Sequence, residues 1–246
     1  MANESAEAER IRAAYRARDA SVATAYTWAD RAYRFYMQDL EWAILSALDR
    51  AGTPVTGSDI LEVGCGSGYF LHRLREYGAA RATGLDLMDR RIEDARIRYP
   101  TLEFVVGDAA ALPWPDLSFD LVTQFTCLSS ILDQDMRRAV AAEMWRVCRP
   151  GGAILSYDMR TTPRLIRAMG AVHAGRVGGD AGVTPTKPID VDDLRALFPA
   201  GRLTHRVVSL NLDLGRYLVR ARPVAIAAAA LPFLRSHVMA VVQRPA

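Results

Sequence analysis

Lysine is nearly absent: Lys187 is the only one in 246 residues, and arginine carries the rest of the positive charge. With the abundant alanine, this fits the coding bias of a GC-rich bacterial genome. It does not fit a nucleic-acid footprint, because net charge is only +3 and a real footprint would cluster the charge. The two arginine-rich sets, Arg10, Arg12, Arg16, Arg18 and Arg90, Arg91, Arg96, Arg98, are interleaved with Glu7, Glu9, Asp19 and with Asp89, Glu93, Asp94. Such mixing predicts solvated helix faces. Cysteine is also scarce. Cys65, Cys127 and Cys148 are odd in number and far apart, which excludes a disulfide framework and leaves no metal-ligand spacing. No apolar stretch reaches the ~20 residues of a membrane span, and Met1 to Ala20 lacks the apolar core of a signal peptide. The expectation is a soluble, cytoplasmic bacterial protein with no nucleic-acid partner and no stable membrane insertion.

What is present is alternation. Half of the residues are hydrophobic, enough for one sizeable core. Apolar spacing predicts helices over 5–20 and 30–51, the second ended by Ala51-Gly52-Thr53-Pro54. Strands follow at 59–63, 81–86, 102–106, 119–125 and 153–157, separated by helices near 68–78, 89–98, 107–112 and 134–147. Strands alternating with helices predict a parallel sheet covered on both faces. After residue 158 the pattern lapses into an irregular lid over about 160–189. A short helix from Val191 to Leu197, strands at 203–212 and 236–243, and an uncharged segment from Pro223 to Leu234 complete the chain. The division expected is an N-terminal helical lid segment, 1–52, and a main domain, 53–246, with the lid insertion and a helix at about 222–234.

The chemistry gathers at strand ends. Ile60 to Val63 is a buried-strand run that enters Gly64-Cys65-Gly66-Ser67-Gly68. Glycine at alternate positions lets the backbone adopt positive φ and touch a ligand. Asp86 ends the second strand, where a carboxylate can accept from both hydroxyls of a ribose. Gly107-Asp108-Ala109 follows the third; Asp108 can accept from the exocyclic amine of adenine, with Leu87 and Leu112 as apolar walls. Two nucleoside ligands compete. A dinucleotide needs Gly-x-Gly-x-x-Gly so that its pyrophosphate meets a helix N-terminus. Here the third glycine comes early, Tyr69 follows it, and Glu62 precedes the loop. A carboxylate there repels pyrophosphate and suits an ammonium and a sulfonium, which favours S-adenosylmethionine (SAM) over NAD.

Glu62 to Gly68, Asp86, Gly107-Asp108, Phe119-Asp120 and Arg146-Val147-Cys148-Arg149-Pro150-Gly151-Gly152 together resemble the motif series of class I SAM-dependent methyltransferases. The flanks resemble members found in bacterial glycan and natural-product pathways. The resemblance implies a Rossmann-like α/β fold: a seven-stranded, mostly parallel sheet with helices on both faces and an antiparallel last strand. It implies SAM as cofactor, with Gly64, Cys65, Gly66 and Gly68 beside the methionine and ribose, Asp86 at the ribose, Asp108 with Ala109 at the adenine edge, and Gln124 near the amino-acid end; Glu62 and the apolar wall Leu87 complete the cofactor-binding set.

Methyl transfer to oxygen or carbon usually needs a general base, whereas a neutral amine can need only alignment. Asp158, at the end of the fifth strand, is the first candidate; a cap or an ion pair with Arg160 or Arg164 is its structural alternative. His173, in the lid, is the second; a surface histidine is its alternative. Tyr26, Trp28 and Tyr157 are candidates for contacting the acceptor, and Pro223 to Leu234 for walling it. No Asp/Asn-Pro-Pro-Tyr/Phe follows the fourth strand and no Pro-Cys nucleophile is present, which removes nucleic-acid base methylation. The expected activity is transfer to a small molecule, at a hydroxyl of a sugar or natural product. N- or C-methylation, a non-catalytic SAM-binding partner or regulator, and a NAD-linked oxidoreductase are the alternatives.

Overall fold

The computed structural model describes residues 5–21, 28–162 and 185–246. Its centre is β1 (Asp59–Val63), flanked by β2 (Arg81–Asp86) and β4 (Phe119–Phe125) in parallel register. β3 (Glu103–Val106) extends one side, and β5 (Cys148–Met159), β7 (Arg235–Gln243) and β6 (Arg202–Leu210) extend the other. The order is β3-β2-β1-β4-β5-β7-β6, and β7 runs antiparallel to both of its neighbours. Four of the five residues of β1 are buried, because helices cover both faces of the sheet; hence its apolar character, broken only by the buried Glu62 near its end.

The helices begin and end where their caps dictate. α1 (Ala6–Ser21) precedes α2 (Arg31–Ala51). Asp30 caps α2 by accepting from the Ala32 amide at 2.7 Å, and Gly52 closes it at φ 64°. α2 lays Leu40, Ile44 and Leu48 into the core under β1, β5 and β7. Next come α3 (Tyr69–Glu76), α4 (Asp89–Arg98), the one-turn α5 (Cys127–Ser130), α6 (Gln134–Val147), α7 (Val191–Leu197), α8 (Leu212–Leu218) and α9 (Arg222–Ala229), with a 3-10 turn at Pro232–Leu234. In place of the helix expected at 107–112, Asp108 bonds the Ala110 amide at 2.9 Å and folds the chain into a turn. The uncharged segment from Pro223 to Leu234 is broken into α9 and the 3-10 turn. Among the described residues no helix is long and apolar enough to cross a membrane.

The strand order reverses direction between β2-β1 and β4. A crevice opens there at the carboxyl ends of the strands, where open α/β sheets bind ligands.

Candidate active site

A cavity of about 360 Å³ occupies that crevice, a size ordinary for a small-molecule site. Its floor is the glycine loop. Gly64 and Cys65 both donate to the Leu85 carbonyl, at 2.7 and 3.0 Å, and Gly68 donates to the Cys65 carbonyl at 2.9 Å. Gly64 sits at φ 71°, and a Cβ on it would lie 2.9 Å from the Cys127 side chain. Gly68, at φ 76°, would put a Cβ 2.6 Å from the Phe104 ring. Both positions therefore admit glycine for two separate reasons, backbone conformation and space. Gly66 is different: beside it there is room, with only an Arg91 nitrogen within 4 Å of a built Cβ.

Asp86 fastens this loop to β2. One carboxylate oxygen accepts from the Gly66 amide and the other from the Met88 amide, both at 2.8 Å. Each oxygen can accept a second hydrogen bond, and Asp86, Leu87, Asp108 and Ala109 all line the cavity. Glu62 lines it too. It is only 2 % exposed, and its Oε2 has no hydrogen-bond partner among the described residues. Burial pushes its carboxyl well above the ordinary glutamate range, the Leu71 amide at the start of α3 acts in the opposite sense, and nearby Asp86 adds to the rise. A buried acid with an idle oxygen is costly unless something cationic meets it.

Part of the lining is aromatic and hydroxylated. Tyr157, 2 % exposed, reaches the cavity. Its hydroxyl lies 2.5 Å from that of Tyr36 on α2 and donates to Ser209 at 2.9 Å. Burial holds it well above the usual tyrosine range. His237 stacks on Tyr157 at 4.5 Å, and its pKa is pushed down to about 3 by burial. Thr126, in the turn from β4 to α5, takes φ 60° although it is not glycine. Its amide donates to the Tyr157 carbonyl at 2.6 Å. Strained backbone of this kind collects at functional sites.

Two expected site residues lie elsewhere. Asp158, the expected base, is fully buried and does not line the cavity. Its Oδ1 accepts from the Ser129 amide at 2.9 Å, and its Oδ2 accepts from the Ser156 hydroxyl at 2.8 Å and from the Gln124 amide group. Burial raises its pKa. Its position is that of a brace between β4, β5 and α5. Gln124, expected near the cofactor, is likewise fully buried and absent from the lining. Its Oε1 accepts from the Cys127 and Leu128 amides, at 2.8 and 3.4 Å, and so caps α5. Tyr26 and His173 lie outside the described residues. Trp28 is 46 % exposed and packs on Tyr33 and Tyr69, which themselves line the cavity. No residue of Pro223 to Leu234 lines it; α9 covers a different cleft.

Sequence patterning does not reveal the part played by α1. Arg12 donates to the Leu87 carbonyl, Arg10 to the Ser130 carbonyl at 2.7 Å, and the Tyr15 hydroxyl meets the Ser130 hydroxyl at 2.9 Å. Arg91 lies 4.5 Å over the Tyr15 ring. Arg10, Arg12 and Arg91 thus fasten elements beside the cavity, while Arg16, Arg90, Arg96 and Arg98 are exposed as expected of a solvated face. The cysteines are free, and burial raises the pKa of Cys127 beside the loop, so its thiol stays protonated. Among the described residues, no histidine lines the cavity and no cluster suits a metal ion.

Residues 60–152 match the family described as a methyltransferase domain. The chain is 41% identical over 113 residues to a fatty-acid O-methyltransferase of Mycolicibacterium smegmatis, covering 45% of this chain and 40% of that one. It is 32% identical over 189 residues to O-methyltransferase cnsE of Penicillium expansum, covering 68% of this chain and 66% of that one. The chain spans less than half the length of the first curated relatives it matches. A solved SAM-dependent methyltransferase from Mesorhizobium loti superposes with a TM-score of 0.57 at 20% identity, covering 83% of this chain and 97% of that one; at that identity the likeness is one of fold.

Proposed function

We propose that this chain, which belongs to the class I SAM-dependent methyltransferases, moves a methyl group from SAM to a hydroxyl of a small acceptor, a sugar or natural product. The observation that carries the reading is Glu62: a buried carboxylate with an idle oxygen, facing a glycine-floored cavity that also holds Asp86 and Asp108. That donor set fits SAM. Glu62 would meet its ammonium, Asp86 its ribose hydroxyls and Asp108 its adenine amine, with Leu87 and Ala109 against the ring. A dinucleotide would bring pyrophosphate toward the same carboxylate, at a repulsive cost.

When bound, SAM supplies an electrophilic methyl group, so the protein's task is positioning. The Tyr36–Tyr157 pair, whose residues both line the cavity, would orient the acceptor hydroxyl. The names of the two curated relatives, both O-methyltransferases, support oxygen as the nucleophile. With no base assigned among the described cavity residues, the proton of an acidic hydroxyl, such as a phenol of a natural product, would pass to water directly, whereas a sugar hydroxyl would need a general base. Release of S-adenosylhomocysteine with a panel of hydroxylated acceptors tests the proposal. Binding without turnover across hydroxyl, amine and carbon acceptors would point to a non-catalytic SAM-binding protein.

Two expected results follow from the geometry. Tyr36→Phe should leave S-adenosylhomocysteine affinity within about twofold and lower kcat/KM for the acceptor about tenfold, the worth of one hydrogen bond to a buried partner. Weakened cofactor binding with unchanged acceptor kinetics would place Tyr36 at the cofactor and not at the acceptor. The second concerns pH. Glu62 must lose its raised proton to pair with an ammonium, so SAM affinity should climb as pH rises through that pKa. It should level off, then fall above about pH 8 as the α-amino group deprotonates. Calorimetry in buffers of different ionisation heat should register proton release on the climbing limb. A flat profile there would contradict the Glu62 role.

A further inference from the structure

A second cavity, of about 390 Å³, lies between α2, β6 and α9, on a different stripe of α2 from the one facing the glycine loop. Arg206, Arg222 and Arg235 line it, against one acid, Asp39. Arg235 is committed to its own backbone, donating to the carbonyls of Ala229 and Val207. Arg206 and Arg222 make no hydrogen bond or ion pair with any described residue. Asp39 makes none either; it faces Arg235 and Arg206 through space only. Burial and the neighbouring charges of Arg50 and Arg235 disfavour the charge on Arg206, and Asp39 alone acts in the opposite sense; three arginines thus face one acid in the lining. The rest of the wall is apolar: Phe35, Trp42, Val208, Ile226, Ala229 and Ala230. Trp42 is 72 % exposed and Ile226 53 %, large apolar groups left in water at the rim of a concavity.

We propose that this cleft is a binding site for a free anionic amphiphile, a phosphate- or carboxylate-headed molecule with a hydrocarbon or ring, whose head pairs with Arg206 and Arg222 while Trp42 and Ile226 cover its apolar part. Guanidinium forks match such oxyanion heads. A bare anion would leave the apolar wall wet, and a neutral apolar molecule would leave the arginines without a counter-charge. The cleft is walled by residues of four elements, α2, β6, α9 and the start of β7, which suits a single molecule better than a flat bilayer surface. None of its residues lines the cavity at the glycine loop, so the site is separate from the methyl-transfer reading and stands or falls apart from it.

The test is a titration of the full chain with octyl phosphate below its micelle-forming concentration, read by tryptophan fluorescence and by calorimetry. Inorganic phosphate, octyl glucoside and phosphatidylglycerol vesicles serve as comparators. Octyl phosphate should bind about tenfold or more tightly than either soluble comparator. The Arg206→Gln, Arg222→Gln double variant should lose about tenfold or more. Asp39→Asn, which removes the one opposing charge, should tighten binding. S-adenosylhomocysteine affinity should be the same in all variants, which also certifies their folding. Equal affinity in the double variant, equal affinity for inorganic phosphate, or binding confined to vesicles would each overturn the proposal.

Discussion

Glu62→Gln is expected to bind SAM roughly 100-fold more weakly, a loss of about 3 kcal/mol, the scale seen when one partner of a buried charge pair is removed. The same substitution should leave the unliganded protein no less stable than its parent. The two signs have one cause. Without ligand, Glu62 is a desolvated acid with an oxygen that nothing described satisfies, and its folded pKa is raised, first by burial. A raised folded pKa means that the group's contribution to stability is whole below the ordinary glutamate range and is lost as pH rises through the raised value. The neutral amide of the Glu62→Gln variant carries no such loss, so its melting temperature should hold steady over the interval in which the parent's declines. A structural role would give the opposite pairing, a lowered melting temperature with unchanged affinity. Thermal melts with and without SAM, across pH, separate the two.

Asp158→Ala should lower the melting temperature by about 8 °C, corresponding to about 3 kcal/mol for a chain of this size. The carboxylate satisfies the Ser129 amide, the Ser156 hydroxyl and the Gln124 amide group in a fully buried setting. Removing it strands those donors, because no solvent reaches them. S-adenosylhomocysteine should still bind within a few-fold at low temperature, since Asp158 does not line the cavity. Were Asp158 the general base, the variant would melt like the parent and fail only in turnover. The comparison needs differential scanning calorimetry and one binding isotherm.

Most of the sheet is legible in the sequence because strands buried on both faces must be apolar throughout. Leu121-Val122 and Ala153-Ile154-Leu155 have no polar face to show. The glycine loop, Asp86 and Asp108 are legible because their roles are set by backbone geometry within a few residues. The aromatic, hydroxylated part of the lining is not, because it depends on which face of β5 looks where. Tyr157 and Asp158 are neighbours and so point to opposite faces. Tyr157 shares the face of Ala153 and Leu155, packed with α2. Asp158 shares the face of Ser156, which pairs in register with Gln124 of β4. That register is a long-range fact, and only it shows that Gln124, Ser156 and Asp158 form one internal cluster. The arginines of α1 mislead for a related reason. Their interleaved acids predict a solvated face, and Glu7 does pair with Arg10, yet Arg10 and Arg12 also reach the carbonyls of Ser130 and Leu87, remote in sequence.

The most direct measurement is a calorimetric titration of the full chain with SAM, set against NAD at the same pH. A single saturable SAM site, lost or greatly weakened in Glu62→Gln, with no heat from NAD, is the expected result. Saturable binding of NAD without SAM, or SAM binding indifferent to residue 62, would contradict the account at its base.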